Sequence, residues 1–249
     1  MAGLPQLTPA IVLGSVRYGE TSRIARLLTR DLGMVSGIAK GALRPKSRFG
    51  AALQLLSEGH AHLIASRASD LYTLAAFDLI ATHRGLASHL ERFGAASALA
   101  EIAMHFVPPV PNAELYDHVL DDVRLLEAVP PEAIAVVALR AIWRLIAELG
   151  IGPSVVACAR DGAALPARGG AAFSLRDGGF LCDACAATGA TTRLESSDRH
   201  DLVSLLTADA ELPFLDDRRT AAHKRLLLRW VREHLGDSVM PALAAWCAR

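Results

Sequence analysis

A change of texture near residue 80 constrains the fold most. Before it, short apolar runs of strand length alternate with turn residues; after it, apolar residues recur at helical spacing. Ile11-Val12-Leu13 starts one strand and Met34 to Ala39 makes another. Ser22 to Thr29 carries Ile24, Leu27 and Leu28 at helical spacing, but Gly19 and Gly33 confine it to strand length, so a strand is expected. Gln54 to Ala65 reads as one long bent strand. Leu71 to Ile80 pairs back on it across the turn Ser66-Arg67-Ala68-Ser69-Asp70. Five short strands in about 75 residues, with one long connection, predict a small barrel of the OB type.

From Ala81 onward the pattern is helical. His89 to His105 is a helix stopped by Val107-Pro108-Pro109, and Ala113 to Val129 is a second, closed by Pro130-Pro131. Glu132 to Leu149 is a third, almost wholly apolar and therefore central, ended by Gly150 and Gly152-Pro153. Ser197 to Thr207 and Arg218 to Leu235 are two more, the last ended by Gly236. The expected architecture is α+β and multidomain. An OB-fold barrel occupies residues 1–80, an all-α helical domain residues 81–153 and 191–249, and a small irregular insert with glycines and cysteines residues 154–190.

The chain has 249 residues and a formal net charge of zero, which hides an asymmetry. Residues 1–85 hold ten Lys+Arg and five Asp+Glu, a balance of +5; the remaining 16 and 21 give −5. Much of the positive charge falls in Lys40-Gly41-Ala42-Leu43-Arg44-Pro45-Lys46-Ser47-Arg48-Phe49-Gly50, the long connection of the barrel. Its four cations, with Arg17, Arg23 and Arg26 nearby, could line a groove for a sugar-phosphate chain, and Phe49 and Tyr18 could offer stacking faces. A solvated loop that serves only solubility, with both rings in packing roles, fits the same residues.

Cys158-Ala159-Arg160-Asp161 and Cys182-Asp183-Ala184-Cys185 form one complete C-x-x-C knuckle and one with aspartate in the fourth place. Two such knuckles about twenty residues apart are the spacing of a zinc site. Zinc accepts a carboxylate oxygen, though structural sites are built mostly from cysteine and histidine. Three buried thiols with Asp161 on the surface is the metal-free alternative. Gly178-Gly179 suits the hairpin of a ribbon, His200 sits where a helix begins and is a poorer ligand, and Cys247 belongs to the tail. On the last long helix, Arg218, Arg225, Arg229 and Arg232 share a stripe opposite Leu227, Trp230 and Val231. That stripe could receive an acidic peptide, or it could be a solvated face.

No phosphate-binding glycine loop, nucleophile elbow or His-Glu-x-x-His motif is present, and the adjacent pairs Asp121-Asp122 and Asp216-Asp217 point to different faces of their helices. No catalytic centre is read. The first ten residues lack a charged start and an apolar h-region, and no run approaches the roughly 20 apolar residues of a membrane span, so a cytoplasmic protein without a membrane partner is expected.

These residues resemble a known family. Tyr18-Gly19-Glu20-Thr21-Ser22-Arg23-Ile24, Leu32-Gly33, Ala39 to Gly50 and Leu71-Tyr72-Thr73-Leu74 resemble the N-terminal domain of the bacterial recombination mediators of the RecO family. Leu145-Ile146-Ala147-Glu148-Leu149-Gly150, the cysteine insert and His234-Leu235-Gly236 follow in the family's order. The resemblance implies an OB-fold, a helical domain, a zinc-ribbon-like insert and a non-enzymatic role in DNA repair and recombination. Such proteins bind single- and double-stranded DNA, anneal complementary strands, and with RecR help load RecA onto DNA coated by single-strand-binding protein. They also recognise that coating protein's acidic C-terminal tail. A cytoplasmic, nucleoid-associated location follows.

Carried onto this chain, DNA contacts fall on Arg17, Lys40, Arg44, Lys46 and Arg48. Tail contacts fall on Arg140, Arg144, Arg225 and Arg229. Zinc ligands fall on Cys158, Cys182 and Cys185, with Asp161 replacing the family's fourth cysteine. Two departures stand out: Ser22 replaces a usual aspartate, and Asp237-Ser238-Val239-Met240-Pro241 lacks the family's basic tail segment. Two rivals remain from the residues alone: a zinc-dependent nucleic-acid-modifying enzyme built on the insert, and a protein adaptor whose barrel binds a partner rather than DNA.

Overall fold

The first strand serves two neighbours, and that is how the N-terminal sheet closes. In the computed structural model, which describes residues 5–66, 68–166, 168–189, 191–207, 210–236 and 240–249, β1 spans Gln6–Tyr18. Its early residues pair antiparallel with β4 (Glu58–Ile64), and its later ones pair with β2 (Ser22–Thr29). The register shifts between Val12 and Gly14, a bulge that bends the strand from one partner to the other. β3 (Gly33–Ala39) follows β2 antiparallel, and β5 (Leu71–Ala81) completes a closed barrel in the order β1-β2-β3-β5-β4, with β3 and β5 parallel. Arg67 of the predicted β4–β5 turn and residues 237–239 of the tail lie outside the described residues.

Strand alternation puts Ala10, Val12, Ala25, Leu27, Val35, Ala39, Ala61, Leu63, Leu74 and Phe77 inside the barrel. The run expected to open a long bent strand at Gln54 does not do so. Residues 40–57 are a chain of turns, and Leu56 has φ 59°, which an extended strand cannot accommodate. Phe49, Ala52 and Leu53 from this connection plug the barrel core instead.

α1 (Leu90–Phe106) buries Ala95, Ala96, Ala98, Leu99, Ala100, Ile102 and Ala103, small residues that permit close packing around much of the helix. It stops before Pro108-Pro109. α2 (Ala113–Ala128) is capped by Asn112, whose side chain accepts from the Leu115 amide at 3.0 Å. A short 3₁₀ turn, Pro131–Ala133, leads into α3 (Ile134–Glu148). The chain divides into two compact units after Ile134, so α1 and α2 count with the barrel rather than with the later helices.

In the second unit α3 buries Val137, Leu139, Ile142, Trp143 and Ile146. β6 (Ala171–Ser174) and β7 (Gly179–Leu181) form a hairpin; Gly178 and Gly179 have φ of 86° and 149° at its turn. α4 (Asp183–Ala186) is a single turn, and β8 (Thr192–Leu194) pairs on the other edge of β6. α5 (Ser196–Leu206), α6 (Asp217–Leu235) and α7 (Pro241–Cys247) follow. The insert shares a core with the helices: Trp143 meets Trp230 edge-on at 6.0 Å, Trp230 meets Phe173 at 5.9 Å, and Phe173 meets Phe180 at 5.3 Å. The Trp230 indole N–H donates to the Ile151 carbonyl at 2.9 Å.

Candidate nucleic-acid interface and metal cluster

The β3–β4 connection separates anchoring from charge. Successive turns, closed by backbone bonds such as Arg44 to Gly41 at 3.1 Å and Ala52 to Phe49 at 2.7 Å, let apolar side chains turn inward while the cations turn outward. Phe49 is 2% exposed, so of the two readings weighed for it the packing role holds and the stacking face does not. The Arg48 guanidinium lies 5.5 Å from the Phe49 ring centroid, which steadies the base of that side chain. Lys40, Arg44, Lys46 and Arg48 are all exposed, and none makes an ion pair among the described residues.

The β1–β2 turn adjoins this connection: the Leu43 amide donates to the Thr21 carbonyl at 2.8 Å. Arg17 is exposed there, with one guanidinium nitrogen 3.3 Å from the Glu20 carbonyl, and it lies opposite Arg23 in the β1–β2 register. Tyr18 is 53% exposed. Four of the five proposed DNA-contacting residues therefore lie on one connection, and the fifth, Arg17, lies near the end of β1 beside the adjoining β1–β2 turn. Arg23 donates to the Ser15 hydroxyl at 2.9 Å, and Arg26 to the Ser36 hydroxyl at 2.8 Å.

The insert brings Cys158, Asp161, Cys182 and Cys185 together, with one donor atom from each lying within 4.8 Å of the others. Gly162 turns the first knuckle at φ 74°, and its amide donates to the Cys158 carbonyl at 2.9 Å. Asp161 Oδ1 accepts from the Ala163 amide at 2.9 Å, which leaves Oδ2 facing the thiols of Cys185 at 3.2 Å and Cys182 at 3.4 Å. Tetrahedral zinc with sulfur at about 2.3 Å needs sulfurs about 3.8 Å apart, so the four groups fit the ion after small side-chain adjustment. The Ala163 amide and the surrounding thiols hold the Asp161 carboxyl well below the usual carboxylate range. The same carboxylate, together with burial, pushes the Cys185 thiol up to about 12 in the metal-free protein. His200 and Cys247 stand outside the cluster.

Sequence reasoning missed Arg160. It grips Asp177 with two nitrogens at 3.2 and 2.9 Å, and donates to the Cys185 carbonyl at 2.9 Å and the Thr188 hydroxyl at 2.8 Å. It thus ties both knuckles to the hairpin turn without metal. An arginine set inside the first knuckle, with a planar donor fork able to reach the second, is the signal that could have revealed it.

The four arginines proposed for tail binding divide into two pairs. Arg225 and Arg229 are exposed on α6, in a stripe with Arg218 and Arg232, while Leu227, Trp230 and Val231 are buried on the other side. Arg140 is half-buried and donates to the Ser204 and Ala210 carbonyls at 3.0 and 2.6 Å, and Arg144 pairs with Glu148 at 3.2 Å. That second pair is engaged in the packing of its own unit. No helix among the described residues is long and apolar enough to cross a membrane.

Comparison with known proteins adds to this geometry. The family model described as recombination protein O, N terminal, matches residues 2–83, and the one described as recombination protein O, C terminal, matches residues 87–241. A protein named DNA repair protein RecO from Anaeromyxobacter sp. (strain Fw109-5) is 35% identical over 179 residues, covering 71% of this chain and 68% of its own. Its namesake from Rhodopirellula baltica is 35% identical over 206 residues, covering 82% and 76%. That from Rubrobacter xylanophilus is 34% identical over 175 residues, covering 70% and 69%.

Proposed function

This chain belongs to the RecO family of DNA repair proteins, and from that premise we infer that it is a recombination mediator that binds DNA without reading its sequence. The observation that carries the inference is the set of four exposed cations, Lys40, Arg44, Lys46 and Arg48, unpaired among the described residues and mounted on a plug anchored in the barrel. Charge displayed on an anchored loop releases counterions from a polynucleotide at little further ordering cost. Because phosphates are alike on every strand, the same loop serves single- and double-stranded DNA. Neutralising two complementary strands lowers their mutual repulsion, and annealing follows. The protein acts by binding and forms no covalent intermediate.

Family membership supports finer roles as well. With RecR, the protein helps load RecA onto DNA coated by single-strand-binding protein. The exposed Arg225 and Arg229 of α6 suit the acidic C-terminal tail of that coating protein, and Arg140 and Arg144 support the same unit from within. A cytoplasmic, nucleoid-associated location suits this work. Cys158, Asp161, Cys182 and Cys185 would hold zinc, which supplies a cross-link between the two knuckles.

Strand annealing tests the inference. Two complementary labelled oligonucleotides should pair faster with the wild-type protein, and Lys46→Glu with Arg48→Glu should remove most of that acceleration at low salt. Equal annealing by both proteins would count against the loop.

A further inference from the structure

A cavity of about 550 Å³ opens on the outer side of the barrel, where β2 and β3 meet the β4–β5 turn. Met34 and Tyr72 supply apolar wall, with Tyr72 packed partly on the barrel core. Arg26, Ser36, Ser69 and Asp70 supply polar groups. The Arg26 guanidinium does not swing freely: it is held by the Ser36 hydroxyl at 2.8 Å and the Met104 carbonyl at 3.2 Å.

β3 leads from this cavity to the cationic connection, since Met34 lines the cavity and Ala39 immediately precedes Lys40. The distance is roughly 20 Å at strand rise, within the span of the 4–16 nucleotides that one OB fold covers. Between the two ends, Ala25, Leu27, Val35 and Ala39 face inward, so Ile24, Arg26, Ser36 and Ile38 face out. The register places Ile24 opposite Ile38 and Arg26 opposite Ser36. A single strand leaving the cations therefore crosses an apolar pair, then a fixed guanidinium, and then reaches the cavity.

Charge distinguishes the two ends. The connection displays four cations, whereas the cavity sets the Asp70 carboxylate and neutral hydroxyls beside Arg26. A carboxylate repels phosphate but accepts hydrogen bonds from base edges, and an immobilised planar guanidinium stacks on a base face. We propose that this cavity is a nucleobase subsite: one unstacked base of a bound single strand enters it beside Arg26 and Asp70, while the phosphates on either side track toward Lys40 and its neighbours. The proposal rests on the inferred single-strand binding of the barrel and deepens it by separating base contact from phosphate contact.

The test compares a labelled oligo-dT with a fully abasic strand of equal length and equal phosphate count. The wild-type protein should prefer oligo-dT by roughly tenfold or more, the size expected of one base contact. Ser69→Trp, which fills the cavity, should lose that preference while keeping the salt dependence of binding. Arg26→Gln, which keeps a hydrogen-bonding side chain near Ser36, should reduce the preference too, and it decides the matter if Ser69→Trp fails to fold. Equal affinity of the wild type for the two strands, or a full preference in the folded variants, overturns the subsite and leaves phosphate binding intact. A wild-type protein that binds neither strand overturns the inferred function and the subsite with it.

Discussion

At Gly33, where β3 begins, the backbone has φ 69°, and a Cβ built there would lie 2.3 Å from the Val110 carbonyl oxygen. The following amide, Met34, donates to the Pro108 carbonyl at 3.2 Å, so the α1–α2 connection is laid directly on the start of the strand. Gly33→Ala should therefore destabilise the protein by about 2–3 kcal/mol in denaturant unfolding; a loss under about 0.5 kcal/mol would contradict that close approach. Asp161 makes a different claim. Its Oδ1 is fixed by a backbone amide, which turns Oδ2 toward the Cys182 and Cys185 thiols. Asp161→Ala should weaken zinc retention against a chelator by roughly tenfold or more, while Asp161→Cys should strengthen it; metal analysis of both variants checks this. Asp177 supplies the pH dependence. Its carboxyl is held below the usual range first by the hydrogen bond from Arg160 and then by the Ser174 hydroxyl. The folded value lies below the unfolded one, so its stabilisation is complete above the ordinary carboxylate range and is lost as pH falls through the depressed value. In metal-free protein the ring resonances of Phe173 and Phe180 should hold their native positions at neutral pH and change only as pH falls below the ordinary carboxylate range. Asp177→Asn should remove that transition, and an unchanged acid transition in this variant would contradict the assignment.

Among the elements, the β3–β4 connection shows how one segment carries two duties on alternate sides. Phe49 packs among Ala39, Ala52 and Leu53, so Phe49→Ala should cost about 3–5 kcal/mol of stability, while substitution of its exposed neighbour Lys46 should leave stability within about 0.5 kcal/mol. Equal stability losses at the two positions would show that plug and charge are not separate. The sequence pattern revealed β2, β3, β5 and the five longer helices within a residue or two, because each carries a full period of apolar residues between strong stops. It overextended β4, since Leu55 and Leu56 read as strand residues, whereas Leu56 is buried at φ 59° in the chain of turns that precedes the strand. β6, β7 and β8 are three or four residues each, too short to display any period, and α7 is seven residues behind a proline. The cysteine spacing, by contrast, disclosed all four cluster residues, because a metal site is written in side-chain type and interval. Arg140 and Arg144 had no such signature: an arginine that bonds buried carbonyls and one that faces solvent look alike in a sequence.

Taken as one molecule, the chain concentrates positive charge in its first 85 residues and negative charge after them, and its overall neutrality conceals both. The N-terminal family model covers the barrel strands and the C-terminal one covers α1 to α6 and the cysteine insert. Neither match fixes where DNA lies. That rests on exposed charge, which acts through counterion release and so leaves a measurable signature in salt. The decisive experiment is a titration of a fluorescent single-stranded oligonucleotide across a range of salt concentrations, for the wild-type protein and for Lys46→Glu with Arg48→Glu. If about four phosphates are neutralised, log affinity should fall against log salt with a slope of about −3 in the wild type, and be shallower by about 1.4 in the variant, with affinity reduced at least about tenfold at low salt. Identical slopes and affinities for the two proteins would show that these cations do not touch DNA and would contradict the account.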